Sequence, residues 1–252
     1  MPAFDYSLVA DIYDVYVRTE EDVPFFQEEC ARTPGRVLEL MCGTGRLSLR
    51  LLEAGASLTC VDSSAPMLSM LRKKLDLRGL TASIFEQDVT RLSIPGSYSL
   101  ALIPFNSFAE ITEDADQSAA LTAIRKSLED HGRLIVTLHN PTVRLQQVDG
   151  LLHTIGKFPL DERGSTISLS ACEQYSAASG LITGHQILEG IESSGRSLWK
   201  RTLDIRFRLV TRERFHDLVM NTGFVVEGLF GNYDRSLFDE AASPYMIWSL
   251  RR

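Results

Sequence analysis

A short apolar run that enters a glycine turn constrains the fold of this chain more than any other feature. Residues 37–40 have the pattern of a buried strand, and the turn Gly43-Thr44-Gly45 opens a helical pattern that begins at Arg46. The glycines permit backbone dihedrals that a Cβ atom would forbid, and they let the main chain pass close to a ligand. The segment therefore predicts a strand–turn–helix unit of a parallel sheet, with a ligand site at the turn.

Short apolar runs alternate with helical patterns from residue 36 to residue 137, as a parallel sheet covered by helices requires. We predict strands over residues 37–40, 57–61, 82–87, 98–103 and 133–138. The helices between them are one that stops at Gly55, one capped by Ser63 or Ser64, and one over residues 116–128 that ends near Gly132.

The character of the sequence changes after Pro141. Residues 165–175, 181–192 and 197–209 are long, half-polar, β-branched runs separated by Ser-Gly turns, which indicates an antiparallel meander. A helix capped by Thr211 and two strands, 225–230 and 245–250, follow. The predicted fold class is α/β, a Rossmann-like, doubly wound, mostly parallel seven-stranded sheet with an antiparallel β insertion late in the chain. We expect residues 1–35 to form a helical cap and residues 141–209 to form a substrate wall or an oligomer contact.

Charge and composition exclude several classes of protein. Lys and Arg number 26 against 33 Asp and Glu, and the net charge of -7 disfavours a nucleic-acid partner. Four cysteines without a CxxC pair or histidines at ligand spacing indicate free thiols and no metal site. No run approaches the roughly 20 apolar residues of a membrane span. The N-terminus lacks the apolar region of a signal peptide, so we expect a cytoplasmic protein.

Three acidic residues stand at the ends of three successive strands, and such ends line one crevice in an open α/β sheet. Glu39 would repel a pyrophosphate but attract an ammonium group. Asp62 can accept both hydroxyls of a ribose, and Asp88 can take an exocyclic amine while Val89 packs against an adenine. Ser48 stands where a dinucleotide site has its third glycine, and no P-loop lysine follows the turn. The pattern predicts a site for a cationic nucleoside.

The runs ELMCGTGRLS, CVDSSAPML, FEQDVTRL and LIPFNSFAEI resemble those of class I S-adenosylmethionine-dependent methyltransferases that act on small molecules. The resemblance covers about residues 6–138 and implies S-adenosylmethionine as the cofactor, bound by residues 36–140 with 210–252. It implies that Glu39 holds the methionine ammonium and that Asp62 binds the ribose diol. The other cofactor-binding residues that it implies are Tyr13, Met41, Gly43, Gly45, Ser63, Met67, Asp88, Val89 and Phe105.

Two of these residues have a simpler interpretation as well. Asp62 could act only as a cap of the following helix, and Met67 could fill the core, as methionines in leucine-rich helices usually do. Among similar small-molecule enzymes, the tyrosines near the N-terminus fold over the cofactor and the residues after the fourth strand flank the reacting methyl group. The candidate acceptor-binding residues are Tyr6, Asn106, Tyr175 and Tyr233.

His139 and Glu110 are the candidate catalytic residues, because both follow strands whose ends overlook the same crevice. His139 is the better candidate for a general base, since an imidazole ordinarily titrates near neutrality. A histidine bonded only to backbone is an equally good interpretation of this position. Glu110 stands where similar enzymes often carry a histidine, which leaves the identity of any base open.

The predicted function is methyl transfer to an oxygen or nitrogen of a small metabolite by in-line displacement, in a monomer or homodimer. The run Ile103-Pro104-Phe105-Asn106 differs from the Pro-Pro-Tyr type of run in amino-adenine DNA methyltransferases. One alternative is an NAD(P)-dependent oxidoreductase, although Glu39 would face its pyrophosphate and residues 140–170 lack a Tyr-x-x-x-Lys pair. The other alternative is a cofactor-binding module without turnover.

Overall fold

The computed structural model describes residues 4–252. Its strands are β1 (Arg36–Leu40), β2 (Ser57–Asp62), β3 (Ser83–Glu86), β4 (Tyr98–Ile103), β5 (Leu128–His139), β6 (Leu152–Pro159), β7 (Thr166–Ser176), β8 (Leu181–Ile191), β9 (Ser197–Arg208), β10 (Val225–Phe230) and β11 (Tyr245–Arg251). Its α-helices are α1 (Tyr13–Tyr16), α2 (Val23–Arg32), α3 (Arg46–Glu53), α4 (Ala65–Arg78), α5 (Asp114–Ser127), α6 (Pro141–Arg144) and α7 (Arg212–Asn221).

Seven strands form one sheet in the order β10-β11-β5-β4-β1-β2-β3. Strands β1 to β5 pair in parallel, and β11 is antiparallel to both of its neighbours. From β1 the chain first adds β2 and β3 on one side of the sheet and then adds β4 and β5 on the other side. This change of side lies between β1 and β4, so the carboxyl ends of β1, β2 and β4 border one crevice. The predicted Rossmann-like fold class is confirmed.

The centre of this sheet is apolar on both faces because helices cover each side. Phe25 and Phe26 of α2 pack with Leu47 and Leu51 of α3 on one face. Helices α5 and α7 contribute the side chains that cover the other face, Leu121, Ile124, Phe215 and Val219. Two apolar layers therefore hold the strand ends in fixed positions around the crevice.

A second, four-stranded antiparallel sheet follows the order β6-β7-β8-β9. The buried side chains Ile167, Leu169, Leu188 and Leu203 pack against Val9 and Ile12 of the N-terminal segment. Three of its strands match the predicted meander, whereas β6 was not predicted. Most of the side chains of β6 are exposed, and Gly156 interrupts the run, so its sequence lacks a clear apolar alternation.

The helix predicted over residues 116–128 spans Asp114–Ser127, so the expected stop near Gly132 is wrong although the helix itself is confirmed. Leu128 is already extended and pairs with Tyr98, so strand β5 starts five residues before the predicted position. The prediction for Thr211 is confirmed, because its side chain accepts a hydrogen bond from the Arg214 amide at 3.3 Å. Among the helices of residues 4–252, none is long and apolar enough to cross a membrane.

Candidate active site

Two adjoining cavities open at the carboxyl ends of the parallel strands. The first has a volume of about 800 Å³ and lies over β2, β3 and the glycine turn. The second, of about 590 Å³, lies between the ends of β4 and β5 and the second sheet. Both volumes fall within the usual range for small-molecule sites. The residues that line both cavities are Phe4, Tyr6, Tyr13, Phe105 and Glu110.

The two glycines of the turn are required for different structural reasons. Gly45 has φ of 82°, and a Cβ atom there would lie 2.3 Å from Cδ1 of Leu71, so Gly45 permits close packing of α3 on α4. Gly43 has φ of 57° and open space beside its Cα atom, and it lines the first cavity. The turn thus presents bare backbone at Gly43, whereas Gly45 is not part of the cavity wall.

Three residues other than glycine hold left-handed backbone conformations at the cavity edge. Met41 and Phe105 have φ of 57°, and Asn106 has φ of 60°. Such conformations cost about 1–3 kcal/mol each and concentrate at functional sites. Phe105 and Asn106 lie at the end of β4, where Phe105 packs against the guanidinium of Arg46 at 4.9 Å. Asn106 lines the second cavity, and its Oδ1 is buried without a partner.

Asp62 ties the glycine turn to the start of α4. The Gly43 amide donates to its Oδ2 and the Ser64 amide donates to its Oδ1, each at 2.8 Å. Each oxygen keeps a further lone pair, so the carboxylate can cap the helix and still accept ligand hydroxyls. Asp62 lines the first cavity together with Ser63 and the buried Met67.

Asp88 and Val89 lie together on the same wall at the end of β3. Both the amide and the hydroxyl of Thr90 donate to Oδ1 of Asp88 at 2.8 Å. Oδ2 of Asp88 has no hydrogen bond within the described protein, and the Val89 side chain is buried beside it. One carboxylate oxygen is therefore available to a ligand next to an apolar surface.

Glu39 does not line either cavity, and this corrects its predicted place at the ligand. Its side chain is 1% exposed and accepts a hydrogen bond from Oγ of Ser48 at 2.6 Å. The alternation along β1 directs Glu39 toward α3, so it lies one layer behind the wall. A buried carboxylate needs a nearby positive charge. The protein itself supplies that charge to Glu39, because Arg46 lies close enough to lower the pKa of Glu39.

The acids near the glycine turn outnumber the cations. Arg46 forms two hydrogen bonds with the buried Asp22, at 2.6 and 2.5 Å, and faces Glu39 as well. Burial raises the pKa of Glu39 to about 7 and that of Glu110 to about 8, and it also raises the pKa of Asp62. Repulsion from Asp62 contributes to the rise of the pKa values of Glu39 and Glu110. Such a group of acids favours a ligand that brings positive charge.

Glu110 lies at the junction of the two cavities. Oη of Tyr6 donates to its Oε1 at 2.8 Å. The Tyr6 ring meets the Tyr13 ring edge-on, with centroids 5.9 Å apart. Within residues 4–252, no Lys, Arg or His forms an ion pair with Glu110. The junction therefore combines an aromatic wall with one unbalanced carboxyl group.

His139 lines the second cavity, and its ring packs beside Phe207 with centroids 6.0 Å apart. Burial, together with the positive charge of Arg144, lowers the pKa of His139 to about 3. The expectation that His139 titrates near neutrality is wrong, because residues far along the chain bury it. Arg144 is itself paired with Glu173 across this cavity.

The low pKa of the half-buried His139 should make the protein sensitive to acid. The unfolded chain takes up a proton near pH 6.5 and the folded chain only near pH 3, so this contribution to stability is complete above pH 6.5 and falls below it. From pH 7 to pH 5 we expect the free energy of unfolding to fall by about 2 kcal/mol because of His139. The variant His139→Gln should lack this part of the fall. Urea unfolding of both proteins at pH 7 and pH 5 measures it. Equal losses in both proteins would contradict the assignment.

Two candidate acceptor residues lie outside the cavities. Tyr175 is 40% exposed near the end of β7, beyond the Glu173 side chain that lines the second cavity. Tyr233 packs against Phe25 and Tyr245, with ring centroids 5.8 and 5.1 Å apart. These placements correct the expectation that both tyrosines contact the acceptor. Tyr6 and Asn106 do line the second cavity.

Several lining residues carry no sequence motif and were not predicted. Arg144, Glu173 and Gln186 reach the second cavity from α6 and the second sheet. Their positions depend on how the two sheets pack, which local patterns do not reveal. Arg46 could have been found, because an arginine directly after the glycine turn begins the helix beside the strand acid. Among residues 4–252, no cluster of His, Cys, Asp and Glu could hold a metal ion.

Comparisons with known proteins agree with this geometry. Residues 37–132 match the family described as "Methyltransferase domain". Demethylmenaquinone methyltransferase of Thermus thermophilus is 35% identical over 108 residues, 42% of this chain and 47% of that protein. Cypemycin N-terminal methyltransferase of a Streptomyces species is 28% identical over 212 residues, 83% of this chain and 77% of that protein. The chain spans less than half the length of the first curated relatives it matches.

Solved structures share the fold along nearly the whole chain. The CcbJ methyltransferase from Streptomyces caelestis has a TM-score of 0.82 at 21% identity, over 96% of this chain and 95% of that one. An S-adenosylmethionine-dependent methyltransferase from Clostridium acetobutylicum has a TM-score of 0.81 at 18% identity, over 98% of both chains. The resemblance seen in the sequence is confirmed. Residues 37–132 are therefore similar to a methyltransferase domain, and the chain has the fold of S-adenosylmethionine-dependent methyltransferases.

Proposed function

We propose that the protein is an S-adenosylmethionine-dependent methyltransferase that methylates an oxygen or nitrogen of a small molecule. The observation that carries this proposal is the set of acids around the first cavity: Asp62, Asp88 and Glu110 line it without an ion pair among the described residues, and its arginine, Arg206, is paired with Glu113. A dinucleotide would bring a negative pyrophosphate into this field. A sulfonium nucleoside with an ammonium group brings positive charge instead, which the acids stabilise.

The residues of the first cavity fit such a cofactor. Asp62 offers free lone pairs to a ribose diol beside the bare backbone of Gly43, and Asp88 has a free oxygen next to Val89 for an adenine amine. Glu39 lies one layer behind the cavity wall and would attract the positive charge of the cofactor without contacting it. When bound, S-adenosylmethionine supplies a methyl group on a positively charged sulfur, and its transfer leaves the electron pair of the broken C–S bond on that sulfur.

The protein's own part in the reaction is orientation and exclusion of water. Tyr6, Tyr13 and Phe105 line both cavities and so surround the place where acceptor and methyl group would meet. Alignment of two reactants in this way can supply ~7–11 kcal/mol toward the barrier. Asn106 at the end of β4 has a buried, unpartnered Oδ1 that can accept a hydrogen bond from the acceptor.

The second cavity is the proposed acceptor site, with residues 141–209 as its outer wall. Phe158 and Phe207 of that segment line it, and its volume suits a metabolite. The name of the cypemycin N-terminal methyltransferase, which matches 83% of this chain, states an N-terminal acceptor and supports a metabolite or short peptide as the acceptor here. We infer that the protein acts in the cytoplasm, without nucleic acid, as a monomer or homodimer. Its free cysteines are consistent with a reducing compartment.

A thermal-unfolding screen tests the cofactor. S-adenosylhomocysteine at a hundred times its dissociation constant should stabilise the fold by about 2.7 kcal/mol, a rise in Tm of roughly 5–10 °C. NADH at the same concentration should leave Tm unchanged. A rise with NADH alone would support the oxidoreductase alternative. Cofactor binding without methyl transfer to any acceptor pool would support the module without turnover.

A further inference from the structure

Of the two carboxyl groups that line the second cavity, Glu173 is paired with Arg144 and Glu110 lacks a countercharge among the described residues. Glu110 accepts a hydrogen bond from the neutral Tyr6 hydroxyl and reaches both cavities. Among the arginines of the two cavities, Arg144 is paired with Glu173 and Arg206 with Glu113 at 3.0 Å, while Arg18 lines the second cavity and forms no ion pair with Glu110 or another described residue. The carboxyl group at the junction of the cavities is thus free to bind a cation that enters with the acceptor.

We propose that the acceptor is an aliphatic amine on an apolar or aromatic body, and that Glu110 binds its ammonium group and removes its proton. The proposal rests on the proposed function and narrows it from oxygen or nitrogen to nitrogen. It also assigns the proton to Glu110 rather than His139.

The chemistry of the two acceptor types decides between them. An ammonium nitrogen has no lone pair, so one N–H bond must break before a bond to carbon can form. Its electron pair stays on nitrogen, and the proton moves to a carboxylate oxygen of Glu110 and then to water. Burial holds the pKa of Glu110 near 8, within a few units of the ~10.4 of an alkylammonium. An alcohol brings no positive charge and is far too weak an acid for a carboxylate to ionise.

His139 is poorly suited to this step because its low pKa makes it a weak base. Its neutral ring instead extends the aromatic wall beside Phe207. The titratable and charged groups that face Glu110 or line its two cavities are Asp5, Tyr6, Tyr13, Tyr16, Arg18, Asp62, Glu86, Asp88, Glu113, Asp116, His139, Arg144, Glu173, Arg206 and Tyr245.

The rest of the second cavity suits an apolar body. Tyr13, Tyr16 and Phe158 form a chain of ring contacts, with centroids 5.5 and 6.5 Å apart, and all three rings line this cavity. Aromatic faces bind hydrocarbon surface and also attract a nearby cation. An acceptor of this kind therefore places its amine beside Glu110 at the junction and its apolar body against these rings.

Calorimetry on the complex with S-adenosylhomocysteine tests the proposal without turnover. Three matched pairs serve as probes, each an amine and its alcohol: phenethylamine and phenethyl alcohol, tryptamine and tryptophol, and cyclohexanemethylamine and cyclohexanemethanol. We expect the amine of at least one pair to bind about tenfold more tightly than its alcohol at pH 9, where Glu110 is ionised and the amine is still protonated. Glu110→Gln keeps an oxygen for the Tyr6 hydroxyl but removes the charge, so it should abolish that preference. Glu53→Gln removes an acid that lines neither cavity and is paired with Arg78 at the surface, so it should preserve the preference.

The outcomes separate this proposal from the cofactor assignment. Equal affinity within all pairs, tighter binding of the alcohols, no measurable binding of any probe, or an intact preference in Glu110→Gln would each overturn it. Affinity of Glu110→Gln for S-adenosylhomocysteine, with its unfolding curve, shows that the variant is folded. Failure of the wild-type protein to bind S-adenosylhomocysteine would overturn the proposed function itself.

Discussion

Replacing Arg46 by methionine should lower the free energy of unfolding by about 3–5 kcal/mol, the usual cost of removing one partner of a buried ion pair. The Arg46 side chain is 13% exposed and its partner Asp22 is 1% exposed. It also donates to the carbonyl of Thr19 at 2.9 Å and balances part of the charge of Glu39. Without it two buried acids lose their cation. Urea unfolding at pH 7 measures the difference.

The matched control is Arg50→Met on the same helix. Arg50 is 40% exposed and pairs with Glu20 and Glu53, both at the surface. Surface pairs contribute about 0–1 kcal/mol, and methionine has nearly the helix propensity of arginine, so we expect a loss of at most about 1 kcal/mol. Similar losses for both variants would show that the pair between Arg46 and Asp22 has no special weight in this fold.

Asp62→Ala is expected to weaken binding of S-adenosylhomocysteine by about 1.5–3 kcal/mol, one to two orders of magnitude in affinity. The variant removes the proposed ribose acceptor. It also leaves the amides of Gly43 and Ser64 without their bonds of 2.8 Å, so the turn that faces the ligand loosens. Calorimetric titration of the folded variant gives the change in affinity.

A control for the loss of backbone bonds comes from the insertion. Oδ1 of Asp161 accepts hydrogen bonds from the amides of Arg163 and Ser165, at 2.9 and 3.0 Å, and Asp161 lines neither cavity. Asp161→Ala should lower stability and leave the affinity for S-adenosylhomocysteine at the wild-type value. Wild-type affinity in Asp62→Ala would restrict Asp62 to a helix cap.

The sequence predicted the parallel sheet because its strands are buried on both faces and therefore stand out as apolar runs. The run 98–103 coincides with β4, and the cap at Thr211 begins α7 where expected. Such features depend on neighbours within a few residues. The strand β6 gave no such signal, because an exposed edge strand needs no apolar face.

The candidate site was harder to predict because it depends on contacts between distant segments. The alternation along β1 shows that Glu39 faces one side of the sheet, but only the packing of α3 shows that Ser48 meets it there. The pKa of His139 is set by Phe207 and Arg144, which come from the insertion and from α6. The hydrogen bond from Tyr6 to Glu110 joins residues 104 positions apart, and no sequence motif predicts it.

A crystal structure with S-adenosylhomocysteine tests the central claim most directly, namely that the acids at the ends of β2 and β3 form a site for a positively charged nucleoside, with Glu39 one layer behind them. The account predicts the ribose hydroxyls on Asp62, the adenine between Asp88 and Val89, and the sulfur directed toward the cavity junction at Glu110. Binding elsewhere on the surface, or a diphosphate group seated at Gly43, would contradict it.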